Sequence, residues 1–500
     1  MSYQKRIKER VRNNKKRIDL KEAKNKRHEI TIKISKNKKE YLIMNKRSLI
    51  QEDEKTKIPE TLIQMIQNFD KINQFDDQNL LQFLKELKND LDSRKSVEFL
   101  FESGKVPLLV HLLNNSNLDI RFEILSILTK ITNYSDKSIH SVVENDGIKT
   151  LIELFNSLDF NNSKIQEQII LLLNNISFEN IEYRDFILSF DIINKIINFL
   201  NQVNDFKMIN CVTLFILNLT TRKPSPDFEY FLPFFQIVEN LLSFDDLEII
   251  ANTCWIISNL SEDSIDNLQE IIDLNICPKI INFLDHPNSR ISTPALKIIG
   301  NIITGYEEQT QYLLDLGILN QLKSLLFSSR EMIRKEACWI ISNITGGSFH
   351  QMREVVNYGM VPILIKILKQ DEYSVRIDAS WCLANIAFQG ENEDIFLLIY
   401  EGYIEPLCEM LDLDDISTII LSLDSISKIL FIGNQVFIEK DLDQNPYLIP
   451  IEEFGGFNKI QFLQNHKNKT ISQKSAHILK QYFVFDENEN ENENENKDKK

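Results

Sequence analysis

A chain of 500 residues with 73 acidic against 57 basic side chains carries a formal charge of -16, but residues 1–50 hold 18 Lys and Arg against five acids, so the remaining 450 sum to -29. An acidic body of that size repels phosphate, which argues against direct nucleic-acid binding and favours basic peptides, or the chain's own tail, as partners. There is no N-terminal apolar run with a cleavage site and no uncharged apolar stretch of about 18 residues, which excludes secretion and membrane insertion as expectations.

Residues 1–28 are basic and nearly free of apolar periodicity, a composition that predicts an unpacked tail. From Glu29 to Arg47 the pattern changes: Ile30, Ile34, Tyr41 and Met44 can share one helix face among Lys33, Lys36, Lys38 and Lys39. A basic helix outside the main body seeks an acidic partner, and these residues alone also leave membrane-surface or nucleic-acid contact open. A charged linker, Gln51–Lys57, closes the 1–57 region.

Helical repeats are predicted from Ile58, with Pro59 near a helix start. Gly followed by an apolar run opens successive units at Gly104, Gly147, Gly317, Gly359 and Gly402, with spacings of 43, 42 and 43 between the adjacent ones. Such a Gly suits a sharp turn after a helix, and a Pro just inside the next helix, as at Pro362 in the helix expected over Pro362–Lys369, forfeits no internal hydrogen bond. The third helix of each unit carries the strongest signal. All three tryptophans, Trp255, Trp339 and Trp381, are followed four residues later by an asparagine, Asn259, Asn343 and Asn385. Trp255 and Trp339 are 84 apart, Trp339 and Trp381 are 42 apart, and at the skipped midpoint Lys297 is followed by Asn301. A helical period near 42 belongs to the armadillo and HEAT class. Going backward, Asn218 and Asn175 keep the Asn but Leu214 and Leu171 replace the Trp, and one unit earlier the pair is Ser126 and Lys130. Going forward it becomes Asp424 and Lys428. The expected fold is all-α, a right-handed superhelical armadillo-repeat solenoid of about ten repeats over residues 58–484, with a basic N-terminal tail and a Glu/Asn-rich tail over 485–500 too polar to pack.

On a helix, positions i and i+4 share a face, so stacked repeats turn the Trp/Asn pairs into a ladder along a groove. An Asn amide donates and accepts, and can hold the backbone of an extended peptide as a sheet edge does. Successive indoles can clasp the stems of Lys or Arg, with a cation-π attraction of about 0.5–2 kcal/mol each. Glu336 and Asp378, three residues before Trp339 and Trp381, supply opposing charge. A single Trp would more often be a core residue; three pairs, two with matched acids, favour the groove. The seven histidines fit no metal-ligand spacing, no phosphate-binding Gly loop is present, and Gly346-Gly347 reads as a helix stop. No catalytic, cofactor or metal residues are expected, and the chain is not expected to be an enzyme. Six cysteines without close pairing read as reduced packing residues in a cytosolic or nuclear protein.

These residues resemble the importin-α (karyopherin-α) family, adaptors that carry proteins with basic nuclear localisation signals into the nucleus. The likeness is closest over 293–305, TPALKIIGNIITG, over 335–345, KEACWIISNIT, and over 451–460, IEEFGGFNKI, while 27–40, RHEITIKISKNKKE, is similar to the family's importin-β-binding helix. The resemblance implies a minor cargo site at Asn301, Glu336, Trp339, Asn343, Asp378, Trp381 and Asn385, with Lys297 where the family commonly has Arg. It implies an eroded major site at Asn175, Glu179, Asn218, Trp255 and Asn259, in which Asn252 stands in place of an acid before Trp255 and Lys130 is expected to repel cationic cargo. It implies importin-β contacts through Arg27, Glu29, Ile30, Ile34, Lys36, Lys38, Lys39, Lys46 and Arg47. Asn45-Lys46-Arg47 stands where the family's tail mimics cargo with Lys-Arg-Arg, so autoinhibition is expected to be weak. The end around 451–483 is implied to meet a nuclear export receptor during recycling, in a protein shuttling between cytoplasm and nucleus. The competing expectations are an armadillo scaffold, or an import regulator without classical cargo binding; capture by importin-β separates the scaffold from the adaptor.

Overall fold

The computed structural model describes residues 58–483, apart from 160–161, 203–204 and 263. The expected importin-β-binding residues between Arg27 and Arg47 and the 485–500 tail lie outside the described residues. Among the described residues every regular element is an α-helix or a short 3-10 turn. Their contacts divide into two compact units, residues 58–298 and 299–483. Each unit stacks the same three-helix repeat, the arrangement of an armadillo solenoid.

One repeat shows why the sequence folds this way. Ser348 and Gln351 form a reciprocal capping box that opens the helix Phe349–Asn357. Gly359, at a φ of +71°, reverses the chain, and Pro362 sits in the first turn of the helix Val361–Gln370, where its missing N–H has no partner to lose. The third helix, Tyr373–Gln389, then returns across both. Val355, Leu364, Leu368, Cys382 and Ile386 are fully buried between these helices and their neighbours. Each such side chain contributes about 1.5–3 kcal/mol of transfer free energy. A single repeat presents two such faces and can cover only one, so the stack is the unit of stability.

The turn glycines follow this rule with one exception. Gly104, Gly317, Gly359 and Gly402 all have positive φ, whereas at the 147 position Asp146 adopts the left-handed conformation and Gly147 begins the helix. Gly147 is instead required by close approach, because a Cβ there would lie 2.5 Å from the Val142 carbonyl oxygen. Repeats without a Gly use Asp191 and Asn275 in the left-handed region, the two residue types that tolerate it best. Gly346 is not a left-handed stop either. It ends the helix Glu331–Thr345 with a φ of -81°, and a Cβ there would sit 3.2 Å from the Asn385 amide nitrogen.

The 25-residue helix Ile416–Lys440 is long and apolar enough to cross a membrane by length and composition alone. It carries Asp424 and Lys428, packs between Tyr373–Gln389 and Lys469–Tyr482, and 56% of its apolar window is buried within the protein. It is the core helix of its repeat.

Gly317 isolates the cost of the turn conformation, because an added Cβ meets nothing within 4 Å. Gly317→Ala is expected to lower stability by about 1 kcal/mol and Gly317→Asn by less, read as shifts of the urea midpoint; an unchanged midpoint for the Ala variant contradicts this.

Candidate peptide-binding face

In the unit 299–483 the helices Glu331–Thr345 and Tyr373–Gln389 lie against each other along their length, burying Cys338, Ile341, Cys382 and Leu383. Burial, more than the Asp378 carboxylate close by, pushes the Cys338 and Cys382 thiols well above their usual range, so both stay protonated packing groups. Trp339, Asn343, Trp381 and Asn385 are all half-buried, as are Glu336 and Asp378 one turn before the indoles. Neither indole is sealed in the core.

The amides are held by the fold. The Asn385 side chain donates to the Ser342 carbonyl at 2.9 Å, one repeat back, and lies 3.4 Å from Thr345 Oγ1. Gln389 donates to the Thr345 carbonyl at 2.7 Å. Asn343 instead bonds within its own helix, to the Trp339 carbonyl at 2.9 Å. The expected double role of the Asn is therefore divided: the nitrogen fixes the amide's orientation, and the oxygen is the group left to accept a peptide N–H. A cavity of about 330 Å³ opens beside Trp381 and Asn385, with Gly346 and Phe388 in its wall. Phe388 is 51% exposed and was not singled out by the sequence, although its place seven residues after Trp381 puts it on the same face.

The unit 58–298 repeats the ladder with a different outcome. Asn175 donates to Thr132 Oγ1 at 3.1 Å, Asn218 to Asn174 Oδ1 at 2.7 Å, and Asn259 to Thr220 Oγ1 at 3.1 Å. Asn259 is only 6% exposed, and in the other unit Asn301 is 5% exposed. Asn252, at the position of the expected acid, is also buried and donates to Asn210 Oδ1 at 3.2 Å. Trp255 is half-buried, and its ring already carries a cation: Lys297 Nζ stands 5.1 Å from the centroid. A ligand ammonium reaching Trp255 must displace it. Lys130 is not the unopposed repulsive charge expected, since it is paired with Asp92 and donates to the Lys88 carbonyl at 2.9 Å.

Glu179, the expected surviving acid, is perturbed by its surroundings. Burial first, and the hydrogen-bonded Asp136 carboxylate second, raise its pKa, while Arg222 and His140 pull the other way. Arg222 donates to the Glu179 carbonyl at 2.7 Å and lies 5.1 Å over the Phe178 ring. The negative charge is thus shared and partly opposed within the fold. Asp136 and Lys297 were findable, because Asp136 precedes Glu179 by 43 residues and Lys297 follows Trp255 by 42; one period apart means adjacent in space. Among the described residues no group of three or more His, Cys, Asp and Glu is placed to hold a metal ion.

Known proteins agree with this layout. A family model for the Armadillo/beta-catenin-like repeat matches residues 307–346 and 349–388, and one for an Atypical Arm repeat matches 445–498. Importin subunit alpha-B of Dictyostelium discoideum is 38% identical over 478 residues, 94% of this chain and 92% of that protein. Importin subunit alpha-3 of Arabidopsis thaliana is 30% identical over 402 residues, 79% of this chain and 75% of its own length. A crystal structure of an engineered protein superposes with a TM-score of 0.68 at 20% identity, covering 84% of this chain and 98% of its own, a likeness of fold.

A carboxyl whose pKa is raised by folding contributes stability at low pH and loses it as pH rises through the folded value. Glu179→Gln is therefore expected to gain stability relative to the native chain as pH goes from about 4 to about 7, measured by urea midpoints at both; a difference that stays constant or shrinks with rising pH contradicts the raised pKa of Glu179.

Proposed function

Because the chain belongs to the importin-α family, we propose that it is a nuclear import adaptor that binds basic localisation signals along the face built by Trp339, Asn343, Trp381 and Asn385. In this reading an extended cargo segment lies across the third helices, its Lys or Arg stems against the indoles and its backbone N–H groups on the Asn oxygens. Glu336 and Asp378 favour the ligand's positive charge. The cargo is linked to importin-β through the basic segment between Arg27 and Arg47, and the protein shuttles between cytoplasm and nucleus with an export receptor returning it.

The observation that supports placing cargo in residues 299–483 is the contrast between the two indole environments. Trp339 and Trp381 are half-buried with acids one turn away, Glu336 and Asp378, while Trp255 is faced by Lys297 and Leu171 and Leu214 replace the other indoles of its unit. The internal cation also favours a second reading, an import regulator with little cargo affinity, in which the Trp339/Trp381 face stays unused.

The two readings part in a titration of a fluorescent basic localisation peptide with the full chain. Trp339→Ala/Trp381→Ala is expected to weaken binding about tenfold or more, the sum of two cation-π contacts, and Asn175→Ala/Asn218→Ala to change it little. Loss confined to the Asn double variant refutes the assignment of the site; no binding by the native chain favours the regulator.

A further inference from the structure

Beyond Trp381 and Asn385 the ladder continues in register into the helix Ile416–Lys440, but with reversed chemistry. The positions of the indole and the amide hold Asp424 and Lys428. Both line the same cavity of about 330 Å³ as Trp381 and Phe388, and Lys474 from the following repeat completes that wall. Asp424 is ion-paired with Lys474, which matches its charge. Lys428 is half-buried, and among the described residues no carboxylate is paired with it. This end of the face therefore carries a net positive charge, whereas the residues one turn before the preceding indoles are the acids Glu336 and Asp378.

We infer that the groove is bipolar and selects, beside the ligand's basic cluster, an acidic residue that meets Lys428. The inference rests on the cargo reading above and specifies which cargo is preferred. An ammonium at this end is repelled by Lys428 and finds Asp424 already occupied. A carboxylate pairs with a half-buried ammonium and lies against the apolar wall of Phe388 and Ile420. The spacing is fixed by geometry. Packed helices lie about 8–10 Å apart and an extended chain advances about 3.3 Å per residue, so one repeat spans about three ligand residues. The acid belongs about three positions from the basic residue on Trp381, on the side of the cluster that runs toward Lys428.

The test uses the full chain and labelled peptides with one basic cluster, bearing Glu, Ala or Lys three residues beyond one end or the other. The native chain is expected to bind the Glu peptide about fivefold more tightly than the Lys peptide on one flank only, the size of a partly screened ion pair. Lys428→Glu is expected to invert that order, and its retained binding of the Ala peptide shows that the variant is folded. The same order of peptides for the native chain and Lys428→Glu, or no flank dependence with the basic cluster still binding, overturns the inference. Failure of every peptide to bind the native chain overturns the cargo reading itself.

Discussion

The constraint on which the rest depends is that a three-helix repeat cannot bury its own apolar surface. Each third helix finds its partner one period away, and the polar side chains follow the same rule. Asn385 reaches Ser342, 43 residues back, and Gln389 reaches Thr345, 44 back; Asn252 reaches Asn210 across 42. These bonds are part of the stack's cohesion, since a half-buried amide left without a partner costs about 1–3 kcal/mol. They also hold the amides in fixed orientation, so the ladder offered to a ligand is preorganised by the same contacts that keep the repeats in register. In the proposed reading the structural and recognition roles of the Asn are two ends of one side chain.

The same periodicity decides where a cation can be received. In residues 58–298 internal groups already occupy the ladder: Lys297 faces Trp255, Lys130 is held by Asp92 and the Lys88 carbonyl, and Glu179 shares its charge with Asp136 under the influence of Arg222. In residues 299–483 the half-buried indoles of Trp339 and Trp381 each follow an acid by one turn, Glu336 and Asp378. Both units carry an acidic surplus, so net charge alone does not separate them. What separates them is the charge beside the indoles: a lysine over Trp255, and acids one turn before Trp339 and Trp381.

Much of this was legible in the sequence, for a physical reason. A repeat presents each constraint many times, so Gly359 and Gly402 confirm one turn, and Trp339 with Trp381 confirm one face. Single departures are harder to read: Asp146 taking the left-handed position beside Gly147 leaves no trace in the Gly spacing, because Asp and Gly can both adopt that conformation. The burial of Asn259 and Asn301 was not legible either, since asparagine is found both buried and half-buried along the ladder. Lys297 and Asp136 were visible through the period, provided that residues 42 and 43 apart are read as neighbours and not only as equivalents. Reading across the repeat, and not only along it, is what turns a ladder of letters into a map of occupied and open positions.

The presence of only three tryptophans makes one measurement decisive. In the chain labelled with ¹⁵N at its indoles, three N–H resonances are assigned by replacing each Trp in turn and followed as a basic localisation peptide is added. The account predicts that the Trp339 and Trp381 signals move together and saturably while that of Trp255, faced by Lys297, stays in place. Movement of the Trp255 signal alone, or of none of the three while the peptide is demonstrably bound, contradicts it.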